Sequence, residues 1–156
     1  MPIRLLHIIP TLDLGGAEKQ FVLLASGLPR DEFDVQVCCL TRGGPRESAL
    51  KEADVPYHII GKPRKFDPRA YVRLKRHIRE VKPDIVHTWL FAANSYGRKA
   101  ALAAGVKQIV AGERCVDRWK RWPHFAIDRY LARRTSRIVT NSEGVKQFYT
   151  GHGIAA

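Results

Sequence analysis

The sequence is poor in acidic charge, has few cysteines and lacks any long apolar run. Its 156 residues hold 15 acidic against 27 basic side chains, so the formal net charge is +12. Its apolar stretches are only a few residues long, whereas a membrane-spanning helix needs roughly 20. The N-terminus, MPIRLLHIIP, lacks the apolar core and small-residue cleavage site of a signal peptide. We therefore expect a cytoplasmic protein.

The three cysteines argue against a disulfide framework and against a metal site. Cys38 and Cys39 are neighbours in a strand-like run, so their side chains should point to opposite faces of a sheet and should not pair. No C-x-x-C or cysteine–histidine spacing typical of metal binding occurs. We expect reduced thiols and no bound metal. The excess of cations favours anionic partners, which include nucleic acid, anionic lipid and phosphorylated ligands.

Strand-like and helix-like segments alternate along the chain, which predicts one α/β domain. Six strand–helix units with short connections favour a Rossmann-like three-layer sandwich, with a mainly parallel sheet of about six strands covered by helices on both faces. The predicted strands are residues 3–9, 33–40, 57–60, 84–87, 106–111 and 137–140. The predicted helices are residues 17–28, 45–53, 68–81, 92–104 and 123–134, with a last helix capped by Ser142.

A glycine pair lies between the first strand and the first helix, in the segment TLDLGGAEKQ. The free N–H groups and the dipole of a helix N-terminus favour an anion, and Gly15 and Gly16 would let a phosphate or sugar approach the backbone. The spacing is neither G-x-G-x-x-G nor G-x-x-x-x-G-K-[ST]. A tight turn that needs a positive φ is the alternative explanation.

Polar side chains follow the fourth, fifth and sixth predicted strands, at the edge where such sheets bind ligands. His87, predicted as the last residue of its strand, could be a general base, could bond a sugar hydroxyl, or could be satisfied by neighbouring backbone. Glu113, which with His87 is a candidate catalytic residue, could accept hydrogen bonds from hydroxyls. Arg114 could bind phosphate or carboxylate, or the two could form an ion pair. The other candidates are helix caps or ligand contacts, namely Asn94, Asn141 and Ser142.

Two basic surfaces lie apart from these strand ends. The helix around residues 69–82 carries Arg73 and Arg76 among other cations outside its apolar stripe. These two are candidates for a membrane or anionic surface, although a solvated helix face is the simpler explanation. The loop RWKRW interleaves tryptophans with cations, a composition that suits a membrane interface or single-stranded nucleic acid. Its residues are Arg118, Trp119, Lys120, Arg121 and Trp122.

Three segments in this order resemble the N-terminal domain of group 1 (family 4) retaining glycosyltransferases. They are LHIIPTLDLGGAEKQFVLLASGL, PDIVHTWLFAANSYGRKAALAAGV and RIVTNSEGVKQFY, within a resemblance that runs from about Ile3 to Gly153. It implies half of a GT-B fold, with the N-terminal domain over residues 1–156 and the C-terminal nucleotide-sugar-binding domain absent from this chain. The implied reaction moves a sugar from a nucleotide-sugar to an acceptor hydroxyl with retention, without a metal or other cofactor. This chain alone is expected to be inactive.

The resemblance also implies residue roles. Gly15 and Gly16 would lie against the donor diphosphate and the transferred sugar. His87 matches the first histidine of an H-x-H pattern whose second position is Trp89 here, and Glu113-Arg114 occupies the place of a histidine after the fifth strand. Many relatives act on lipid-linked or cell-surface glycans, so we expect such an acceptor and peripheral binding to anionic lipid at the inner membrane face. No nucleic acid partner is expected.

Three alternatives stay open. A nucleotide-sugar epimerase of GT-B fold would share the domain but transfer nothing to an acceptor. A non-enzymatic basic module would bind nucleic acid or membrane, but the RNP, homeodomain and zinc signatures are absent from the sequence. A dinucleotide-binding oxidoreductase ranks lower, because the first unit lacks G-x-G-x-x-G and the second strand does not end in an acidic residue.

Overall fold

The computed structural model describes residues 1–154, in which six strands and six helices alternate. The predicted α/β fold with a six-stranded sheet is therefore confirmed. The strands are β1 (Ile3–Ile9), β2 (Phe33–Cys39), β3 (Tyr57–Ile59), β4 (Ile85–Trp89), β5 (Gln108–Glu113) and β6 (Arg137–Thr140). The helices are α1 (Gly16–Gly27), α2 (Glu47–Glu52), α3 (Pro68–Val81), α4 (Leu90–Ala104), α5 (Trp122–Ala132) and α6 (Glu143–Gly151).

The sheet is parallel throughout the described chain, in the strand order β3-β2-β1-β4-β5-β6. From β1 the chain builds outward through β2 to β3, and from β4 it builds the other way through β5 to β6. The neighbours β1 and β4 therefore form the topological switch point. The connections that leave their carboxyl ends diverge, and this divergence opens the crevice in which doubly wound sheets bind ligands.

Period-two alternation divides the apolar side chains of each strand between two cores. Leu6 and Ile8 of β1 pack with α3 and α4, whereas Leu5 and Ile9 pack with α1 and α2. A third, smaller core joins α5, α6 and β6. These three clusters give the layered sandwich that the sequence predicts.

The adjacent cysteines of β2 follow the same alternation. Cys38 lies in the core under α3 and α4, Cys39 lies in the core under α1 and α2, and both are free thiols. Burial raises the pKa of both, that of Cys39 to about 12. The prediction that they point to opposite faces and do not pair is confirmed.

Two strands extend further than predicted, and this changes the edge of the crevice. β4 continues to Trp89 and β5 to Glu113, because Trp89 pairs in register with Gly112. His87 is therefore not the last residue of its strand, contrary to the prediction. Helix α4 begins at once with Leu90, whose φ of 66° is in the left-handed region that a branched side chain rarely adopts. The β4–α4 junction at the switch point is thus conformationally strained.

Candidate functional site

The connection from β1 to α1, residues 10–15, forms one lip of the crevice and is fixed by side-chain hydrogen bonds from Arg42, Arg46 and Thr11. Arg46 donates from Nε to the carbonyl oxygen of Asp13 over 3.0 Å. Arg42 donates to Asp13 Oδ2 over 2.7 Å, and Thr11 Oγ1 donates to the same oxygen over 2.9 Å. These bonds hold the segment before the glycine pair in one conformation, so the start of α1 is positioned before any ligand binds.

Helix α1 begins without a side-chain cap. Gly15 is its N-cap residue, in extended conformation, and the N–H groups of Gly16, Ala17 and Glu18 have no hydrogen-bond partner within residues 1–154. A Cβ added to Gly16 would meet no atom within 4 Å, whereas one on Gly15 would collide with the folded-back carboxylate of Glu18. The helix therefore presents an open, positively polarised end at the crevice, partly covered by one flexible carboxylate.

Four side chains from three strand ends pack together beneath this lip. His7 and His87 are register partners on β1 and β4, and their ring centroids are 5.1 Å apart. Trp89 Nε1 donates to His7 Nδ1 over 3.4 Å. The guanidinium of Arg114 lies 4.0 Å from the centroid of the Trp89 ring, and its Nη1 lies 3.5 Å from Gln20 Oε1 in α1. The cluster links the ends of β4 and β5 to the first turns of α1.

Both histidines of this cluster are held neutral. The pKa of His7 lies well below its usual value because of burial and, secondarily, the neighbouring His87. Burial and the positive charge of Arg114 lower the pKa of His87 to about 3. The Nε2 atoms of both rings lack a hydrogen-bond partner in the described chain. Sequence reasoning missed His7, although a polar residue inside the apolar part of β1 was a signal that could have found it.

Asn94 contributes to structure and not to the crevice. It is fully buried in the second turn of α4. Its Oδ1 accepts from Thr88 Oγ1 over 2.7 Å, and its Nδ2 donates to the carbonyl oxygen of Gly112 over 3.1 Å. The predicted sugar contact is wrong because both amide atoms are bonded inside the protein. The predicted capping role is wrong because α4 begins at Leu90, with Trp89 as its N-cap residue.

Glu113 lies in a buried ionic cluster on the other face of the sheet. Its side chain is only 3% exposed, and burial raises the pKa of its carboxyl although the charge of Lys120 acts in the opposite direction. Lys120 donates to Asp128 Oδ2 and to Tyr149 Oη, both over 2.9 Å, and lies 3.1 Å from Asp117 Oδ2. The prediction that Lys120 belongs to an exposed anionic-ligand surface is wrong, because its charge is neutralised in the interior.

The same cluster contains a buried arginine that sequence reasoning missed. Arg98 donates from Nη2 to Asp128 Oδ1 over 2.9 Å, with both side chains 1% exposed, and from Nε to the carbonyl oxygen of Asn94 over 2.7 Å. Its position four residues after Asn94, on the sheet-facing side of α4, was the available signal. Because removing one member of a buried ion pair leaves an unpaired charge, the cluster fixes α4, α5 and α6 in one arrangement.

Glu113 and Arg114 do not pair with each other, although an ion pair was one of the predicted alternatives. No salt bridge joins them within residues 1–154, since alternation along β5 sends Glu113 to the ionic cluster and Arg114 towards Trp89. Asn141 is exposed and donates from Nδ2 to the carbonyl oxygen of Arg114 over 3.1 Å, so it supports the backbone there. Ser142 Oγ accepts from the N–H of Val145, which confirms its predicted role as the cap of α6.

The basic helix α3 is partly engaged in structure. Arg73 donates to the carbonyl oxygens of Ile60 and Gly61, over 3.0 and 2.6 Å, and so fastens the end of β3 to α3. Arg76 is exposed and has only a loose partner, Glu80, at 3.8 Å. Of the two candidates on this helix for a membrane or anionic surface, Arg76 is therefore the one whose charge faces solvent.

The RWKRW loop exposes four of its five side chains, all except Lys120. Trp119 and Trp122 are 54% and 79% exposed, and Arg118 and Arg121 are exposed beside them. Helix α5, which begins at Trp122, also forms one wall of a mostly apolar groove of about 600 Å³ between α3, α4 and α5. Its lining includes Phe66, Tyr71, Tyr96, Lys99, Ile127 and Tyr130. None of the helices within residues 1–154 is both long and apolar enough to cross a bilayer.

Acid should destabilise the protein through its two buried histidines. As the pH falls below about 6.5 the unfolded chain binds protons at both rings, whereas the folded chain does not. Since the folded pKa of His87 is about 3, the free energy of unfolding should fall as the pH is lowered from 6.5 towards 3. The expected slope reaches about 1.4 kcal/mol per pH unit for each histidine. Denaturant unfolding at intervals between pH 7 and 4 measures it.

Two variants isolate the contribution of His87 to this slope. His87→Gln should flatten the pH dependence, because the variant has no imidazole to protonate on unfolding. Val72→Ala removes an exposed side chain that does not titrate and should leave the slope unchanged. Equal slopes for the unsubstituted protein and His87→Gln would show that His87 is not held neutral in the fold.

Sequence comparison gives one extensive match. The family model described as Glycosyltransferase Family 4 matches residues 14–156, which is most of the chain. Among curated proteins no significant match is found.

Solved structures share the fold at low sequence identity. HepE of Anabaena, in complex with UDP and glucose, gives a TM-score of 0.80 at 17% identity over 97% of this chain and 41% of that chain. The lipopolysaccharide outer core galactosyltransferase WaaB, in its apo form, gives a TM-score of 0.70 at 17% identity, over 98% of this chain and 43% of WaaB. UDP-GlcNAc 2-epimerase from Neisseria meningitidis, bound to UDP-GlcNAc, gives a TM-score of 0.64 at 16% identity, over 97% of this chain and 44% of the epimerase. The chain spans less than half of each of these structures, which fits half of a GT-B fold.

Proposed function

Because the chain belongs to glycosyltransferase family 4, we propose that it is the acceptor-side domain of an enzyme that transfers a sugar from a nucleotide-sugar to an acceptor hydroxyl, with retention at the anomeric carbon. One observation carries this proposal. At the β1/β4 switch point, α1 begins at Gly16 after its N-cap residue Gly15, and its first three N–H groups have no partner within residues 1–154. The fold shared with HepE bound to UDP and glucose supports a nucleotide-linked donor.

The start of α1 suits the diphosphate of such a donor. Breaking the bond between the sugar and the diphosphate places negative charge on the leaving oxygen, and fixed N–H donors stabilise that charge. A helix N-terminus adds roughly half a positive charge at the same place. The Glu18 carboxylate, which folds over Gly15, has to turn outward when the donor binds. Gly16 needs no such rearrangement, since the space beside its Cα is open.

We propose His87 as a substrate contact and Glu113 as a structural anchor. His87 lies on the side of the sheet that faces α1, next to Arg114, whereas the carboxyl of Glu113 faces the ionic cluster of α4, α5 and α6. With its pKa near 3, His87 is too weak a base to take a proton at neutral pH, but it can hydrogen-bond a sugar oxygen. Rate enhancement would then come from positioning and electrostatic stabilisation, without a metal or other cofactor.

A second, nucleotide-sugar-binding domain would complete the site. The chain spans 41% and 43% of HepE and WaaB, so each of those proteins has more than half of its length outside the matched region. The start of α1 and Arg114 could hold a diphosphate and a sugar, and we assign the nucleoside to a second domain. We therefore propose that the 156-residue chain alone does not turn over, and that transfer requires the chain joined to such a domain.

An epimerase is the second candidate, because UDP-GlcNAc 2-epimerase from Neisseria meningitidis shares the fold. The family match favours transfer over epimerisation. The two activities separate in one assay of the joined protein with a nucleotide-sugar. A transferase releases the nucleoside diphosphate in proportion to an added acceptor alcohol, whereas an epimerase converts the sugar without any acceptor.

Gly16→Ala tests whether a donor approaches the start of α1. Since a Cβ at Gly16 meets no protein atom within 4 Å, the variant should fold normally. The added methyl group would stand where a phosphate or sugar oxygen comes close to the backbone, so kcat/KM for the nucleotide-sugar should fall by about 10- to 100-fold, equivalent to roughly 1.4–2.7 kcal/mol. The measurement is nucleoside diphosphate release by the joined protein.

Gly144→Ala is the matched control for this experiment. Gly144 also lies in the first turn of a helix, α6, and a Cβ there likewise meets no atom within 4 Å. Its substitution should leave kcat/KM within about twofold. If Gly16→Ala were as active as Gly144→Ala, the donor would not lie against the start of α1.

The RWKRW loop and the groove beside it form an exposed face. This face supports the proposal that the acceptor lies at a membrane surface. Arg118, Arg121 and Trp122 project from the loop, and Phe66 and Tyr130 expose aromatic rings at the groove. Aromatic rings among cations suit the interface of an anionic bilayer. We propose that the acceptor is a glycan or a lipid-linked saccharide of the cell envelope. The enzyme would then bind peripherally to the inner face of the membrane.

Liposome sedimentation tests this membrane face. The chain should bind vesicles that contain anionic lipid at low salt and should dissociate as salt is raised. The combined variant Arg118→Ala, Arg121→Ala and Trp122→Ala should lower the partition coefficient at least tenfold, since each cation near an anionic surface contributes about 1 kcal/mol. The control removes two exposed cations and one exposed leucine on the α1 side, through Lys19→Ala, Leu23→Ala and Arg30→Ala. Equal losses in both variants would exclude a specific membrane face.

A further inference from the structure

Two polar nitrogens without partners meet above Gly112. His87 Nε2 lies 3.4 Å, and Arg114 Nε lies 3.6 Å, from the point where a Cβ on Gly112 would stand. Neither nitrogen has a hydrogen-bond partner in residues 1–154. His87 is 8% exposed, so its orphaned nitrogen belongs to a side chain that is more than nine-tenths buried. Buried polar atoms of this kind are rare, because leaving one unpaired costs stability.

The glycine between them is not required by the fold. Gly112 lies inside β5 and its φ is outside the left-handed region that favours glycine. The closest atoms to a Cβ there are at ordinary van der Waals distances, and a methyl group would therefore fit. Glycine inside a strand costs conformational entropy, and it often marks a place where a ligand approaches. The small residue thus leaves a space the size of a methyl group, bordered by two nitrogens and by the carbonyl oxygen of Thr88 at 3.4 Å.

The charge around this space is positive and uncompensated. Arg114 stacks on Trp89, and its polar contact in α1 is the uncharged Gln20. No salt bridge to Arg114 occurs within the described residues, because the carboxylates of the neighbouring ionic cluster pair with Arg98 and Lys120. Gln20 lies one helical turn after Gly16, so the space adjoins the open start of α1. A ligand group that accepts hydrogen bonds and carries negative charge fits these surroundings.

We propose that Gly112, His87 and Arg114 form an oxyanion-binding pocket that receives a phosphate or carboxylate group of a substrate. Its biological meaning rests on the proposed function, in which the group is either the diphosphate of the donor or the carboxylate of an acidic sugar. Arg114 donates from Nε, and His87 donates from Nε2 in the tautomer that carries its proton there. The absent side chain of Gly112 provides the room for the oxygen atoms.

NMR of the uniformly ¹⁵N-labelled 156-residue chain tests the pocket without requiring turnover. The probes are inorganic pyrophosphate, glucuronate and, as the neutral comparison, glucose. At least one anion should shift the ring resonances of His87 and the amide of Gly112 in a saturable way, whereas glucose at equal concentration should not. Bound anion should also raise the pKa of His87 from about 3, because it offsets the charge of Arg114 that helps to lower it.

Three variants make the assignment specific. Gly112→Ala should keep the fold and raise the Kd of the bound anion at least tenfold, because the methyl group fills the pocket. Arg114→Gln, at a half-exposed position, should give a similar loss without touching the strand interior. Gly151→Ala, where a Cβ meets no atom within 4 Å, should change the Kd less than twofold.

The outcomes separate the possible sources of the oxyanion. Tighter binding of pyrophosphate supports the pocket with the donor diphosphate as its ligand, and tighter binding of glucuronate supports it with an acidic sugar. Absence of a saturable response to either anion overturns the proposal, as does a Kd that neither Gly112→Ala nor Arg114→Gln changes. If anions bind here but the joined protein transfers no sugar, the pocket stands and the proposed function fails.

Discussion

The pairing of β1 with β4 is the contact on which the rest of the site depends. It runs in register from Leu5 opposite Ile85 to Ile8 opposite Thr88. Because these two strands are neighbours although two strand–helix units lie between their own units in sequence, the chain leaves their ends in opposite directions and a crevice opens between them. The same pairing brings His7 and His87 together. An unpaired Nε2 on each ring and the left-handed Leu90 are costs to stability, and such local costs concentrate at functional sites.

The end of β5 forms another side of the crevice. Because side chains alternate between the two faces of the sheet, the residues at this strand end have separate roles. Glu113 points into the ionic cluster that Arg98, Lys120 and Asp128 complete, which fixes the strand end against α4, α5 and α6. The next residue, Arg114, therefore projects from a rigid base towards Trp89 and α1. A buried charge network on one face of the sheet thus holds a cation in place on the other.

The order of elements was predictable from sequence, whereas the ends of strands and the burial of charges were not. Apolar runs and helix signals such as Ser142 locate the six units because these features depend on local sequence. The extension of β4 to Trp89 depends on its pairing with Gly112, which is distant in sequence. Lys120 looked solvent-exposed in RWKRW because its partners Asp128 and Tyr149 come from later helices. Asn94 was misassigned for the same reason, since tertiary contacts use both of its amide atoms.

The central claim is that a nucleotide-sugar meets this chain at the crevice between the carboxyl ends of β1 and β4. Amide NMR tests it most directly, with the chain isotope-labelled inside the protein joined to its nucleotide-sugar-binding domain and titrated with UDP-glucose. We expect saturable shifts at Gly15, Gly16 and Ala17 and at the end of β4, with the amino ends of the strands unaffected. Shifts confined to the amino edge of the sheet or to the apolar groove between α3, α4 and α5 would contradict the claim, as would no saturable shift at all.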